Sequence, residues 1–511
     1  MDGARAIKRS LNSKLNANHE TCAATYTSPD VYNTSPQTSG VLATLGDQAW
    51  INVLPSSQTH KPSELNALLR LAWPMMLTQL FIMGTGFLDT AMSGHYSATD
   101  LAGVAMAGNV LWPTFMLLTG ITAALTPIVA QLRGSAQTNL AGARVRQGLW
   151  IALAGAILLL CVILNAQPLL KYAGVDPDII HIAMGYLRAV AWGAPSVVLY
   201  VALRNVCDGL GQTRPAMYIS AAVLPINAFL NYGFVYGEFG LPELGGVGCG
   251  WATAIVLWIQ LLLMVIVVRR PFFAKAQVFT QFDAPQPAEL MRILRIGLPI
   301  GIAMFLGMAV FSAIGMLVGR LGVHQFAAHS IAGNLNWLTY VIPMGLGAAA
   351  SIRVGYFTGA DKLDNARAAA ATAFKFALVY AFCVSFLLVI FRHSLVGVYT
   401  TDPVVIDFAV NLLLFIAVYQ IVDDTQAVAV GALRGYKDTT VPMVFQVLGY
   451  WIIALPLGSA LAFGWGAIEP MGVYGYWAGM TFGLFLVACA NGWRLWRTSH
   501  NHAFVTRLAA T

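Results

Sequence analysis

From residue 66 onward the chain alternates long apolar runs with short polar connections. Twelve of these runs are long enough to cross the roughly 30 Å hydrocarbon core of a bilayer as helices, which takes about 20 residues each. They lie near 67–93, 101–130, 147–167, 180–203, 215–236, 247–268, 293–318, 326–356, 369–391, 405–432, 441–464 and 471–493. A transmembrane barrel would show alternating segments of about 10 residues instead, and the chain has no such pattern. The pattern therefore predicts an all-α polytopic membrane protein with twelve transmembrane helices.

Residues 1–65 are of another kind. They are polar, rich in Ser, Thr, Asn and Ala, carry Lys8, Arg9 and Lys14, and lack helical periodicity. This composition predicts a disordered tail. It also lacks the basic-then-apolar order of a cleavable signal peptide, so insertion falls to the first span.

Composition agrees with the pattern. The chain is 58% hydrophobic and 10% charged, with a mean hydropathy of +0.68, whereas soluble domains carry about 25% charged residues. The net charge of +7 has a topological meaning. With the amino end inside, the inner loops and span ends hold Arg133, Arg144, Arg146, Arg204, Arg269, Arg270, Arg292, Arg353, Arg367, Arg434, Lys437 and Arg494. The outer loops hold Lys171, Arg320 and Arg392 beside the acidic Glu238, Glu243 and Glu469. This asymmetry predicts that both termini are cytoplasmic. The basic residues are spread over six loops and form no single stripe, which argues against nucleic acid as a partner. The cysteines show no metal-ligand spacing and read as small apolar residues.

Sliding the chain on itself exposes an internal repeat. LRLAWP (69–74) falls on LRIGLP (294–299), AMAGNVLW (105–112) on SIAGNLNW (330–337), and Gly120 on Gly345, all at an offset of 225 residues. At an offset of 227, Pro215 falls on Pro442. The chain is thus expected to form two six-helix lobes, at 66–270 and 293–497, with a cytoplasmic loop at 271–292 between them and a cytoplasmic tail at 498–511. An even number of spans per half gives parallel repeats about an axis along the membrane normal, an architecture suited to alternating access. The repeat fails at the acids: Asp89 falls on Ile314, and Asp423 falls on Ser196.

An acid at membrane depth costs about 2.5–3.5 kcal/mol on insertion scales, so it calls for a partner, a wet cavity or a proton. Asp89 is such an acid, near the outer end of the first span in GFLDTAMSGH. On the fifth span, LPINAFLNYGFVYG, Asn227 and Asn231 are spaced i, i+4 and share one face. That span also runs outward, so Asn231 reaches the depth of Asp89. With Thr253 of the sixth span these side chains can offer oxygen ligands to a sodium ion. Equally, desolvation can make Asp89 a proton carrier. The residue types fit both jobs.

In the tenth span, YQIVDDTQAVAVGALRGYKD, Asp423 and Asp424 point about 100° apart. The expectation is that Asp423 faces a cavity and attracts a cationic substrate or a proton, with Tyr419 one turn earlier, while Asp424 is buried or paired. The many Met, Phe, Trp and Tyr residues suit interfacial belts and promiscuous binding of apolar cations. No G-x-x-x-x-G-K-S/T stretch occurs, which argues against ATP as a partner. The histidines show no H-E-x-x-H, DDTQA lacks the third acid of a D-D-x-x-D cluster, and no enzyme is expected. A flippase for lipid-linked precursors is the alternative reading, but it would want a basic cavity, and the spans offer little beyond Arg188 and Lys375.

The blocks FLDTAMSGHYSATDLAGVA, TPIVAQLRGSAQ, CDGLGQTRPAM, LPELGGVGCGWATA, ASIRVGYFTGA and ALRGYKDTTVP resemble the signatures of the multidrug and toxic compound extrusion (MATE) family, in its bacterial NorM-like branch. The resemblance spans about residues 64 to 497. It implies a V of two six-helix lobes, in a multi-pass protein of the bacterial inner membrane. It further implies export of cationic amphipathic compounds in exchange for sodium ions or protons, by a protein that functions as a monomer with no cofactor beyond the coupling ion. It identifies Asp89, Asn227 and Asn231 with the family's amino-lobe cation site, and Asp423 with Tyr419 as the carboxyl-lobe cavity acid. One departure stands out. Family members with a second-lobe sodium site carry a glutamate on the seventh span where this chain has Gly307 in AMFLGMAVF, which favours coupling through Asp89 alone.

Overall fold

The computed structural model describes residues 63–510 apart from 173, 275 and 466–468; the tail expected over residues 1–65 lies outside them but for its last three residues. The described residues are helical, with eleven helices long and apolar enough to cross a membrane and a twelfth span formed by a bent pair. In chain order the spans are α1 (Glu64–Tyr96), α2 (Ala98–Gly134), α3 (Ala141–Leu164), α4 (Pro177–Ala191 and Ala194–Gly209, bent by 54°), α5 (Arg214–Tyr236) and α6 (Gly246–Val268) in the first half. The second half has α7 (Pro287–Gly319), α8 (Val323–Gly359), α9 (Leu363–Ile390), α10 (Pro403–Gly435), α11 (Thr440–Phe463) and α12 (Val473–His500). Several helices outrun their apolar stretches by a turn or two, because polar residues such as Glu64, Glu289 and Arg494 continue the helix beyond the lipid-compatible part. The expected carboxyl-terminal tail is helical as well: α12 runs to His500, and α13 (His502–Ala510) follows.

The repeat is visible in the caps. At the start of α6, Gly245 has φ +55° and Asp100 Oδ1 accepts from the Gly246 amide at 2.6 Å. At the start of α12, Gly472 has φ +59° and Gln325 Oε1 accepts from the Val473 amide at 2.8 Å. Both glycines occupy backbone regions closed to most side chains, and both caps satisfy a helix amide that would otherwise be an orphan. The glycine-rich GGVGCG stretch is therefore a turn followed by a packing face: a side chain at Gly250 would strike the Tyr186 carbonyl at 2.8 Å.

Lipid gives no hydrophobic drive between helices, so close contact depends on small residues. Gly120 of α2 sits against the backbone of Gly301 in α7, where an added Cβ would lie 2.5 Å from the Gly301 Cα. Gly345 of α8 sits against Met76 of α1 in the same manner. Subtracting the repeat offset turns the second contact into the first, since 345 − 225 = 120 and 301 − 225 = 76. As a result the leading half of α7, through Ile293, Ile296 and Ile300, joins the core of the amino-terminal half, and the leading half of α1, through Leu68 and Ala72, packs with α8, α9 and α10. The lobes are thus not clean blocks of sequence, because each leading helix crosses from one to the other.

Apart from a contact of Gln79 Nε2 with Met344 Sδ at 3.8 Å in mid-span, the polar links between the halves lie toward the arginine-rich ends of the helices, the basic face. Arg353 Nε and Nη2 grip the Glu64 carboxylate at 2.8 and 2.6 Å, Gln131 Nε2 donates to the Gly435 carbonyl at 3.1 Å, and the Arg133 guanidinium lies 5.2 Å from the Tyr356 ring centre. The connecting segment is tied down there too: Arg146 Nε donates to Asp283 at 2.6 Å, and Trp150 Nε1 to the Asp283 carbonyl at 2.9 Å. These links close the two halves together on the basic face.

Candidate functional site

Asp89 lies seven residues before the end of α1, Asn231 five before the end of α5 and Thr253 seven after the start of α6, so each sits within about 10 Å of the same membrane face at 1.5 Å rise per residue. Their side chains meet. Asn231 Nδ2 donates to Asp89 Oδ1 at 2.7 Å, and Thr253 Oγ1 donates to Asp89 Oδ2 at 3.0 Å. Asn231 Nδ2 is also 3.3 Å from Asn227 Oδ1, as the i, i+4 spacing requires. Asp89 is 6% exposed, and Asn227 and Asn231 are buried. The carboxylate is therefore buried in the protein and not matched by a cation: among the described residues no Lys, Arg or His pairs with it.

Two neighbours escaped the sequence reading. Tyr186 of α4 lies close enough to the carboxylate to interact with it, and Cys249 Sγ donates to the Asp89 carbonyl oxygen at 3.6 Å. Neither had a signal, since a tyrosine and a cysteine in apolar runs look like ordinary packing. Toward the membrane face, Tyr96, Tyr232 and Tyr236 gather beside the cluster, with the Tyr236 ring centre 6.3 Å from that of Tyr96 and 5.3 Å from that of Tyr232, and Tyr236 Oη donates to the Met92 carbonyl at 3.2 Å.

The oxygen supply suits a hard cation. Asn231 Oδ1 is buried and has no hydrogen-bond partner among the described residues. An Asn231 amide turned about its Cγ would offer that oxygen in place of its NH2, and Asp89, Asn227, Asn231 and Thr253 would then present oxygens together. With the amide as it stands, the two carboxylate oxygens receive neutral donors only. In that arrangement a proton on Asp89 removes the cost of the buried charge.

The carboxyl-terminal half is built differently. Asp424 is fully buried and accepts from Gln420 Nε2 at 2.7 Å; Gln420 Oε1 accepts from Thr339 Oγ1 at 3.0 Å. Asp423, 6% exposed, makes no hydrogen bond or ion pair among the described residues, and its surroundings are the phenol groups of Tyr340, Tyr419 and Tyr450. Tyr419 and Tyr450 hydroxyls lie 3.4 Å apart. Tyr450 reaches that position from a π-helical turn at Leu448–Ala454 inside α11, a departure often found at functional sites. No periodicity in the sequence announces that turn. The same turn aims Trp451 Nε1 at the Leu306 carbonyl of α7, at 3.2 Å.

Beside it, Gly307 has its open side filled: an added Cβ would stand 3.0 Å from Gln446 Nε2, which itself donates to the Ala303 carbonyl at 3.3 Å. The seventh span thus offers no acid at this point, and a neutral amide occupies the space beside the missing side chain. At the places that match the two acids across the repeat stand buried Ile314 and buried Ser196, whose hydroxyl donates to the Gly193 carbonyl at 2.8 Å.

Comparison with known proteins places the chain in a family. A family model described as MatE matches residues 74–233 and 299–459, one block in each half. The multidrug resistance protein NorM of Aliivibrio fischeri is 40% identical over 435 residues, covering 84% of this chain and 95% of that protein. Among solved structures, the eukaryotic MATE transporter AtDTX14 superposes with a TM-score of 0.78 at 21% identity, covering 87% of this chain and 98% of its own. The Vibrio cholerae MATE transporter VcmN in its bent form gives 0.77 at 18% identity, with coverage of 87% and 98%. These two share the fold, two lobes of six helices. With both halves matched and a relative at this level of identity along nearly its whole length, the chain belongs to the MatE family of multi-pass membrane transporters.

Proposed function

We propose that this chain is a secondary active multidrug efflux antiporter, exporting cationic amphipathic compounds in exchange for protons or sodium ions. The observation that carries the reading is the buried Asp89 carboxylate, hydrogen-bonded to Asn231 and Thr253 and lacking a fixed positive partner among the described residues. A buried charge of that kind is unstable by itself and is satisfied when a mobile cation arrives. The relative named for multidrug resistance supports the substrate class. The arginine-rich face supports a bacterial inner-membrane protein with both termini cytoplasmic, under the bias of basic loops toward that side.

In the proposed cycle the lobes, parted on the outer side, release substrate as Asp89 takes up the ion, and the filled site favours closure and return inward. To move a conformational balance from 1:99 to 99:1 the ion must prefer one state by about 5.5 kcal/mol. A membrane potential supplies about 2.3 kcal/mol per charge for each 100 mV, and an ion gradient adds to it. Asp423, beside three phenols and without a polar tie, is the acid we assign to substrate attraction, with Tyr419 next to it; the monomer holds both clusters. Arg188 and Lys375 are exposed on their helices and supply no basic cavity, which weighs against a flippase for lipid-linked phosphates.

Asp89→Asn tests the proposal. The amide keeps the shape and carries no charge, so efflux of ethidium from energised cells is expected to fall at least about a hundredfold, as for loss of an essential charged group, with protein level unchanged. Efflux at the original rate would remove Asp89 from the mechanism.

A further inference from the structure

A cavity of about 350 Å³ opens at the basic face, between the lobes and apart from both polar clusters. Three cationic side chains line it from three separate elements: Arg144 from α3, Arg292 from the start of α7 and Lys437 from the turn after α10. Two of them pair with one half-buried acid, Glu289: Arg144 and, at 3.0 Å, Arg292. A second acid, Asp361, stands at the exposed rim. Among the described residues Lys437 pairs with no carboxylate; its Nζ donates to the Ala509 carbonyl of α13 at 3.0 Å. Burial, with Arg144 and Arg292 adding repulsion, pushes the Lys437 ammonium down to about 8, as expected where positive groups are crowded without enough counter-charge.

Lys437 and Asp361 front the cavity from two helix-closing turns, at φ +62° and +55°, in which the Asp438 amide donates to the Leu433 carbonyl and the Lys362 amide to the Phe357 carbonyl.

We infer that this cavity binds a phosphate-bearing anion, gripped by Arg144, Arg292 and Lys437 and bridging the two lobes across their closed face. Guanidinium forks suit phosphate oxygens, and an ammonium adds a point charge. Arg144 belongs to the amino-terminal half and Lys437 to the carboxyl-terminal half, so a group held by both binds the closed basic face better than an opened one and shifts the conformational balance toward it. Basic pockets between spans at this level of a membrane receive anionic lipid headgroups; a soluble phosphate compound carries the same chemistry. The inference stands whether or not transport is coupled through Asp89.

The test uses the purified full-length protein in a zwitterionic detergent. Its thermal unfolding midpoint is followed against phosphatidylglycerol, with phosphatidylcholine as control, and separately against pyrophosphate, with chloride at matched ionic strength. The midpoint is expected to rise with at least one phosphate source, and Lys437→Gln to need about fivefold more of it, the loss of one cation at a membrane surface. Lys437→Arg keeps the wild-type response. A rise with the lipid alone identifies the headgroup as the ligand, and a rise with pyrophosphate identifies a free phosphate compound. If Lys437→Gln fails to accumulate, Arg292→Gln makes the same comparison. No rise with either source, or a Lys437→Gln or Arg292→Gln variant that responds like the wild type, overturns the inference.

Discussion

The two halves of this protein place acids in opposite kinds of surroundings. In the amino-terminal half Asp89 is held by Asn231 and Thr253 with Asn227 behind them, so its position is fixed and only its charge is unmatched. In the carboxyl-terminal half the tied acid is Asp424, while Asp423 is left among tyrosines with no hydrogen bond of its own among the described residues. Packing follows the repeat closely, in the glycine contacts at Gly120 and Gly345 and in the caps at Gly246 and Val473. The ionisable groups do not follow it. A duplicated scaffold thus keeps symmetry where the backbones must fit and gives it up where chemistry is done. A fixed, unmatched acid suits binding a small ion in one geometry, whereas an untethered acid among flat rings suits organic cations of varied shape.

Several substitutions sharpen or break this contrast. The largest effect is expected for Ile314→Asp, which places an acid at the point matching Asp89 without the amides that receive it. Insertion scales put the cost of such an acid at about 2.5–3.5 kcal/mol, so the variant is expected to lose most of its accumulation in membranes and to unfold earlier in detergent. Normal accumulation would mean that the polar partners of Asp89 matter little for its tolerance. Next comes Asp423→Asn. Loss of a charged contact to a cationic substrate costs about 1.5–3 kcal/mol, so the substrate concentration for half-maximal efflux is expected to rise at least about tenfold, with the dependence on the ion gradient retained. An altered ion dependence and an unchanged half-saturation would exchange the roles of the two acids. The smallest effect belongs to Thr253→Ala, which removes one neutral hydrogen bond of about 0.5–1.5 kcal/mol and is expected to shift the ion concentration for half-maximal transport by roughly two- to tenfold. No shift there would place the ion away from Asp89 Oδ2.

Much of this arrangement could be read from the chain alone, for physical reasons. Spans are long and apolar, and a bilayer leaves helices few alternatives. The i, i+4 spacing of Asn227 and Asn231 fixes a shared face, and the depth at which the first and fifth spans end brings that face to Asp89. Other features depend on contacts between distant residues. Tyr186 and Cys249 look like packing until α4 and α6 lie against α1. The π turn that delivers Tyr450 has no pattern of its own. The crossing of α1 and α7 into the opposite lobes follows from which glycines meet, and a repeat offset cannot show that. The contents of the space beside Gly307 were also hidden, since the absence of a glutamate does not reveal that Gln446 stands there.

The central claim is that Asp89 couples ion movement to export. Its most direct test is substrate flux in proteoliposomes under an imposed gradient of protons alone and of sodium alone, for the wild-type protein and Asp89→Asn. The account predicts that one of the two gradients drives wild-type flux and that neither drives flux in the variant. Gradient-driven flux that survives in Asp89→Asn would contradict it.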